Sequence, residues 1–340
     1  MPNVSIEQLS DLVRRIFVRH GMSEANAAVL ASNCVAAERD GAESHGLFRV
    51  GHYISALRSN EVDGHALPAL DSDSSASVVS VDARNGFAQP ALELARRPAI
   101  DKARSTGVSI IAIRNSRHLS TLWLDVEPFA NEGLIAFAFV NSIPRVVPWD
   151  GGEPVLGTNP MALAVPRQDD LPLVFDQASS VMALGDIAIA AKAGQPLPSG
   201  AGVDRDGRPT TVPQSVLDGG ALLPFGGHKG SAIALMVELL AAGLTGGNFS
   251  FEIGSPGVPG TRTARAGELI ILIDPLRVGS GKFRERVDIL INRLHGSGVK
   301  RLPGARRYQA RHRAFTDGIP VRETVLSELE AHLQGQPTPL

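Results

Sequence analysis

The chain has 340 residues, of which 43% are hydrophobic and 20% charged, and its formal net charge is −2 at pH 7. This length allows two domains, and the near-neutral charge gives no reason to expect nucleic acid or a membrane surface as a partner. No apolar run reaches the roughly 18–20 residues that a bilayer-spanning helix needs. The first residues show no basic segment followed by an apolar core, so we expect no secretory signal and a cytoplasmic location.

The first third of the chain has the pattern of a helical module. Ser5, followed three residues later by a glutamine, is a capping-box signature, and apolar residues then recur at helical spacing. A second helix is predicted after Ser23, and a third is predicted to contain both His45 and Arg49. Cys34, the one cysteine, falls in the second helix, where we expect it to be buried and inert.

Strand-like and helical runs alternate through the middle of the chain, which is typical of an α/β architecture. Apolar runs predict strands at 76–81, 108–113, 134–140, 162–165, 171–175 and 268–273. Helical periodicity predicts helices at 90–106, 122–132, 229–244 and 281–294. The stretch 194–220 is rich in proline, glycine and aspartate, and we expect a loop with little regular structure there.

His45 and Arg49 are four residues apart, so on a helix they would share one face. Histidine exchanges protons near pH 7, and arginine binds a carboxylate through two parallel hydrogen bonds. Together they suit a small substrate that carries a carboxylate beside a reducible or protonatable centre.

The usual nucleotide-binding motifs are missing from the sequence. No Gly-x-Gly-x-x-Gly follows a strand and opens a helix, and neither a Walker loop nor a metal-spaced histidine pair occurs. Glycines around His228 and Lys229 precede the strongest predicted helix, whose first N–H groups suit an anion. The alternative there is a glycine-rich turn with two solvated polar residues. The polar segment 115–121 follows a predicted strand, and α/β sheets bind ligands at such strand ends. The alternative is that this segment is only the hydrophilic start of a helix.

Three further segments carry polar groups without fixing a role for them. Thr158, in a Gly-Thr-Asn-Pro turn, offers a donor to a carboxylate, or the segment is only a turn. Asp176 and Asp186 are of the type that orients a catalytic histidine, although spacing alone does not connect Asp186 to His45. Arg306 and Arg307 suit a phosphate, or form a solvated basic turn.

Taken together, these stretches resemble the family of malate and L-lactate dehydrogenases that lacks the Rossmann fingerprint and also contains sulfolactate and ureidoglycolate dehydrogenases. The matching segments are 44–49, the surroundings of His118, 154–160 and 226–230. Further runs at 14–18, 85–91, 217–225 and 244–251 are similar to the Δ1-piperideine-2-carboxylate/Δ1-pyrroline-2-carboxylate reductases of that family. The resemblance implies a sulfolactate-dehydrogenase-like α/β fold: a mixed sheet with flanking helices, a non-Rossmann nucleotide-binding domain and a helical N-terminal module.

The resemblance also implies a homodimer that reduces a cyclic imine carboxylate with NADPH, giving L-pipecolate or L-proline. His45 is then the proton donor while hydride moves to C2, and Leu184 stands where a polar residue, often histidine, is expected. The residues implied in catalysis are Ser44, His45 and Asp186. Those implied in substrate binding are Arg49, Thr158, Leu184 and Gly185. Those implied in NADPH binding are Arg117, His118, Leu119, Ser120, Thr121, Asp176, Gln177, Ala178, His228, Lys229, Leu302, Pro303, Gly304, Arg306 and Arg307, and no metal is implied.

We expect a discontinuous substrate and dimerisation domain, 1–112 with 280–340, and an NADPH-binding domain, 113–279. The same histidine and arginine serve a carbonyl as well as an imine, so an NAD(P)-dependent 2-hydroxy-acid dehydrogenase of the malate or lactate type is the runner-up. A non-catalytic metabolite-binding protein is disfavoured, because a binder needs no proton relay.

Overall fold

Helices occupy both ends of the chain and the connections between strands. The structure is a computed structural model that describes residues 1–72, 75–254, 264–279 and 281–336. In chain order its α-helices are α1 (Ile6–Arg19), α2 (Glu24–Arg39), α3 (Val50–Arg58), α4 (Ala88–Thr106), α5 (Trp123–Asn131), α6 (Leu184–Lys192), α7 (Pro213–Leu217), α8 (His228–Val237), α9 (Pro275–Val278), α10 (Phe283–Gly296), α11 (Ala305–Asp317) and α12 (Glu323–Gln334).

The strands build one large sheet and two small ones. In chain order they are β1 (Asn3–Val4), β2 (Ala69–Leu70), β3 (Val78–Phe87), β4 (Val108–Arg117), β5 (Ile135–Val140), β6 (Met161–Val165), β7 (Leu173–Gln177), β8 (Gly202–Val203), β9 (Pro209–Thr210), β10 (Ala221–Leu222), β11 (Ala266–Ile273) and β12 (Ile319–Pro320). The predicted strands are therefore confirmed in position, with bounds displaced by a few residues.

The large sheet has seven strands in the order β2-β3-β4-β11-β5-β6-β7. β3 and β4 are parallel and joined through α4, whereas β11 is inserted between β4 and β5 and is antiparallel to both. The β-α-β-α-β alternation of the sequence did not show this insertion, because β11 arrives from the last third of the chain. β11 is almost continuously apolar, as expected of a strand buried on both faces.

Alternate residues of the central strands face two different cores. On one face, Ile111 and Ile270 pack with α4 and α5. On the other face, Leu269 packs with Val237 and Ala241, at the end of α8 and just beyond it. This alternation follows from the period of two in a strand, and it places α8 directly against the sheet.

The helical module is built by α1, α2, α3 and α12 around a core of its own. The capping box at Ser5 and the N-cap at Ser23 are both confirmed. Tyr53 is fully buried between Phe17 and Phe87, with ring centroids 5.3 and 5.0 Å away. Cys34 is buried in the same core, and burial raises the pKa of its thiol to about 12, which keeps it inert as predicted.

The prediction of one helix through His45 and Arg49 is wrong. The segment forms two 3-10 turns, Glu43–His45 and Leu47–Arg49, before α3 begins. The break lies at Gly46, where a Cβ would approach the Glu38 side chain to 2.2 Å. The Leu47 N–H donates to the Glu38 carboxylate at 2.9 Å, so α2 fixes the break and replaces the helical hydrogen bond.

Two other expectations are corrected. The stretch 194–220 is not a plain loop, because it contains β8, β9 and α7, and together with β10 its strands form a three-stranded sheet. The helix predicted at 229–244 begins at His228, leaves regular α geometry after Val237 and continues as a π-helical turn, Glu238–Gly243. A π turn inserts one residue into a helix and often marks a functional position.

The predicted domain boundary at residue 112 lies inside β4, and the strands on either side of it share one sheet. The division by function into 1–112 with 280–340 and 113–279 stays a prediction, and residues 280 and 337–340 lie outside the described part. None of the helices that the structure describes is long and apolar enough to cross a membrane.

Candidate active site

A cavity of about 1120 Å³ lies where the first 3-10 turn, the β4–α5 connection, the end of β7, the start of α6 and the segment before α11 meet. These elements come from distant parts of the chain, so the fold has gathered most of the predicted site. The predicted site residues in its wall are Ser44, His45, Ser120, Thr121, Thr158, Asp176, Gln177, Ala178, Asp186, Leu302, Pro303, Gly304, Arg306 and Arg307.

His45 is held by its neighbour in the chain. The Ser44 hydroxyl lies 3.0 Å from Nδ1 of His45, which leaves Nε2 as the ring nitrogen free for a ligand. Burial, followed by the charges of Arg49 and His118, lowers the pKa of His45 to about 3. The ring is therefore neutral at pH 7 before a ligand binds. An anionic ligand beside Arg49 would offset part of that positive field and raise the pKa.

Arg49 follows His45 by four residues but does not line the cavity. Its Nε is buried and within the described residues donates no hydrogen bond. Burial lowers the pKa of Arg49, and the negative groups that oppose this include Asp186. Leaving a buried cation without a matching acceptor is costly, so this arrangement favours a bound carboxylate.

Gly185 lets α6 approach this cation closely. A Cβ added at Gly185 would lie 3.2 Å from Nη2 of Arg49 and 3.3 Å from the Ser44 side chain. Leu184 begins α6 and packs in the small core beneath it, so it does not form part of the cavity wall. Asp186 is exposed in the wall, and within the described chain no hydrogen bond joins it to His45. The relay role of Asp186 stays a prediction.

Thr158 is fixed by Ser142, a residue that the sequence analysis missed. The Thr158 N–H donates to Ser142 Oγ at 3.0 Å, and the two hydroxyl oxygens are 3.1 Å apart. Ser179 Oγ donates to the Thr158 carbonyl at 2.9 Å. Gly157 has no room for a side chain, since a Cβ would lie 2.5 Å from Ser142 Oγ. The Gly-Thr-Asn-Pro motif is therefore a tightly supported turn rather than a free one.

Asp176 caps α5. Its Oδ2 accepts hydrogen bonds from the N–H groups of Leu122 and Trp123 at 2.8 and 3.1 Å. Burial raises the pKa of Asp176 to about 6, although both bonds oppose the rise. Arg307 lies beside it, donating to the Val174 carbonyl at 2.7 Å and lying 4.7 Å from the Trp123 ring centroid. Asp176 and Arg307 thus hold this side of the cavity wall in place through their hydrogen bonds, and they also contribute charged groups to it.

The same wall is strongly basic. Arg301, Arg306 and Arg313 are exposed and line the cavity together with Arg307. Planar guanidinium groups suit phosphates, and the Trp123 ring offers an aromatic face. This set of donors fits a dinucleotide that carries phosphates and flat rings. The signal in the sequence was the arginine pair Arg306 and Arg307, which lies in the first turn of α11, whereas Arg301, Arg313 and Trp123 gave none.

The remaining predicted cofactor residues lie away from this wall. Arg117 is paired with Glu61. His118 is buried and donates to Asp125 at 2.8 Å, beside Glu268, and these two carboxylates are among the groups that raise the pKa of His118 to about 9, against the effect of burial. Leu119 packs on the helical module, and His228 and Lys229 are exposed at the start of α8. Their contact with a cofactor stays a prediction.

Comparison with known proteins places the chain among relatives over nearly its full length. The family model described as malate/L-lactate dehydrogenase matches residues 4–330. The Δ1-pyrroline-2-carboxylate/Δ1-piperideine-2-carboxylate reductase of Pseudomonas syringae pv. tomato is 55% identical over 96% of this chain and 95% of that protein. A crystal structure of Δ1-piperideine-2-carboxylate reductase from the same organism superposes with a TM-score of 0.94 at 54% identity, covering 98% of this chain and 100% of that one. Sulfolactate dehydrogenase from Methanocaldococcus jannaschii, 28% identical, has a TM-score of 0.86 over 98% of this chain and 97% of that one, which confirms the predicted fold.

Proposed function

The chain belongs to the malate/L-lactate dehydrogenase family, and we propose that it reduces Δ1-piperideine-2-carboxylate and Δ1-pyrroline-2-carboxylate with NADPH, giving L-pipecolate and L-proline. Near-full-length similarity to the Pseudomonas reductase supports this reaction. The observation that carries it is the buried Arg49 guanidinium beside His45, with an Nε that no described residue satisfies. That pair fits a substrate in which the protonatable nitrogen is bonded to the carbon that carries the carboxylate.

The carboxylate is bound by Arg49 and by the Thr158 hydroxyl, which Ser142 orients. This fixes the ring so that its nitrogen faces Nε2 of His45. NADPH, when bound, supplies the hydride that C2 accepts. His45 provides the proton that the nitrogen gains, with Ser44 holding Nδ1 so that the ring keeps one orientation. Because the substrate carboxylate offsets the charge of Arg49, substrate binding raises the pKa of His45, and His45 then takes up from solvent the proton that it passes to the nitrogen.

NADPH rather than NADH is supported by Arg301, Arg306, Arg307 and Arg313 in one wall, a density of positive charge that suits the extra 2′-phosphate. A cytoplasmic location is supported by the lone thiol, Cys34, since a chain with one cysteine forms no internal disulfide.

A homodimer is supported by exposed apolar side chains on α8, on its π-helical continuation and in the segment that follows it. Leu235, Leu239, Leu244 and Phe251 are 53%, 55%, 63% and 63% exposed. Four large apolar side chains exposed within one short stretch of chain suit a contact with another protein. A second copy of this chain is the occupant that we propose.

The test is NADPH oxidation by the purified protein with both cyclic imines and with open-chain 2-oxo acids, and the same series with NADH. We expect kcat/KM for an imine to exceed that for every oxo acid by at least about tenfold. A higher value for an oxo acid would overturn the assignment in favour of a 2-hydroxy-acid dehydrogenase. Sedimentation of the native protein, compared with Leu239→Glu, tests the dimer separately.

A further inference from the structure

Asn159, the residue after Thr158, has an unusual backbone. Its φ is +36°, in the left-handed region, and the residue is completely buried. Asparagine tolerates this region better than other side chains with a Cβ, but the conformation persists only where the surroundings hold it. What holds Asn159 therefore also sets the direction of Thr158, one peptide unit before it.

The Asn159 side chain is held from two sides. Its Nδ2 donates to Oε1 of Glu238 at 2.7 Å and to the Ala234 carbonyl at 3.0 Å. Its Oδ1 accepts from the Ser142 N–H at 3.2 Å. Ser142 is the residue whose hydroxyl contacts both the N–H and the hydroxyl of Thr158. A continuous chain of hydrogen bonds thus runs from Glu238 to Thr158.

Glu238 is a buried carboxylate, only 4% exposed, at the first position of the π-helical turn. Besides Asn159 it accepts from the Ser250 N–H at 3.0 Å and from the Ser250 hydroxyl. The added residue of the π turn changes the direction of the side chains that follow α8. The irregular turn and the irregular backbone at Asn159 therefore meet at one charge-assisted hydrogen bond.

We propose that Glu238 is a positioning residue for substrate binding: through Asn159 and Ser142 it fixes the Thr158 hydroxyl in the direction that the substrate carboxylate needs. Glu238 does not line the cavity, so it acts only through these neighbours. The inference rests on the proposed function, in which Thr158 binds the carboxylate.

Glu238→Gln tests the proposal, because it keeps the shape of the side chain and removes the charge. An amide at 238 turns one of its groups towards Asn159 as a competing donor. We expect KM for the imine to rise about tenfold while kcat changes less than about twofold, since carboxylate binding and not proton transfer is disturbed.

Glu252→Gln is the matched control. Glu252 is an exposed glutamate of the same connection and accepts from the Phe249 N–H at 2.8 Å, without contacting Asn159. Its KM should stay within about twofold of the wild type. Should Glu238→Gln fail to fold, Glu238→Asp is the second variant, because it keeps the charge but withdraws the carboxylate from Asn159.

An unchanged KM in folded Glu238→Gln would overturn the proposal. A crystal structure of Glu238→Gln decides it independently of activity. We expect the Thr158–Ser142 hydroxyl separation, 3.1 Å in the wild type, to lengthen beyond hydrogen-bonding distance. Thus a wild type that reduces neither imine would refute the proposed function, whereas an undisturbed Thr158 in the variant would refute the role of Glu238.

Discussion

Replacing Arg49 by methionine should separate stability from function. The guanidinium is buried, its Nε lacks an acceptor within the described residues, and burial lowers its pKa. A methionine fills a similar volume without a charge to desolvate. We therefore expect Arg49→Met to fold at least as stably as the ligand-free wild type, while substrate binding is largely lost.

The magnitudes follow from the same contacts. A hydrogen bond to a charged group contributes about 1.5–3 kcal/mol, and a carboxylate at Arg49 gains at least one such bond. At about 1.4 kcal/mol per tenfold change, KM should rise roughly 10- to 150-fold or more. Removing the desolvated charge should change the free energy of unfolding by between about 0 and +2 kcal/mol, in the stabilising direction.

Arg311→Met is the control, because the Arg311 side chain is only 18% exposed and is fully paired with carboxylates. It donates to Asp40 at 2.5 and 3.0 Å and to Glu127 at 2.6 and 2.8 Å. Breaking such a network leaves buried carboxylates uncompensated and should cost about 3–5 kcal/mol. Urea unfolding of both variants and imine kinetics of Arg49→Met make the comparison. If Arg49→Met lowers the free energy of unfolding by more than about 1 kcal/mol, or leaves KM unchanged, Arg49 is not an unpaired cation that binds the substrate carboxylate.

Three other predictions concern His45 and Gly185, which lie close to Arg49. His45→Ala should lower kcat about 10²- to 10⁴-fold and leave the KM for NADPH nearly unchanged, and near-normal turnover would exclude His45 as the donor. The pKa of His45 is lowered to about 3 in the folded protein. Below pH 6.5 the histidine is therefore protonated in the unfolded chain but stays neutral in the folded one. Relative to His45→Gln, the wild type should therefore lose up to about 1.4 kcal/mol of stability per pH unit as pH falls from 6.5 towards 4, and parallel urea-unfolding curves would contradict this. Gly185→Ala should raise the imine KM, since its Cβ would press on Arg49 and Ser44 from 3.2 and 3.3 Å, whereas an unchanged KM would show that α6 moves freely.

The sequence predicted what is local and missed what is contributed from a distance. The strands were recognisable because apolar β-branched runs need only their own pattern, and the caps at Ser5 and Ser23 are signals within one turn. The break at Gly46 was hidden, because it depends on Glu38 of α2, and so was the insertion of β11 between β4 and β5. The small sheet of β8, β9 and β10 was also missed, because the proline-, glycine- and aspartate-rich composition of 194–220 predicted a loop.

The candidate site divides in the same way. His45, Arg49 and Thr158 were predicted from short motifs, since their chemistry is evident from residue type. The contact of Ser44 with His45 is local, but other contacts that shape the site cross long stretches of chain: Asn159 bonds to Glu238 across 79 residues, and Trp123 Nε1 bonds to Asp40 in the cavity wall across 83. Such pairs leave no local signature in a single sequence. For the same reason the pairing of Arg117 with Glu61 and of His118 with Asp125 could not be predicted, while their contact with a cofactor stays a prediction.

Unsatisfied polar atoms explain why the site favours its ligand. Nε of Arg49 lacks an acceptor within the described chain, and His45 is kept neutral by burial and by that same arginine. The unpaired cation costs folding free energy before a ligand arrives, and the lowered pKa of His45 costs stability below pH 6.5. One anionic group bound at Arg49 would relieve both effects. In the proposed mechanism, binding of the carboxylate therefore both holds the substrate and raises the proton affinity of His45. A substrate without a carboxylate would lose both effects, so the carboxylate acts in the proton transfer as well as in recognition.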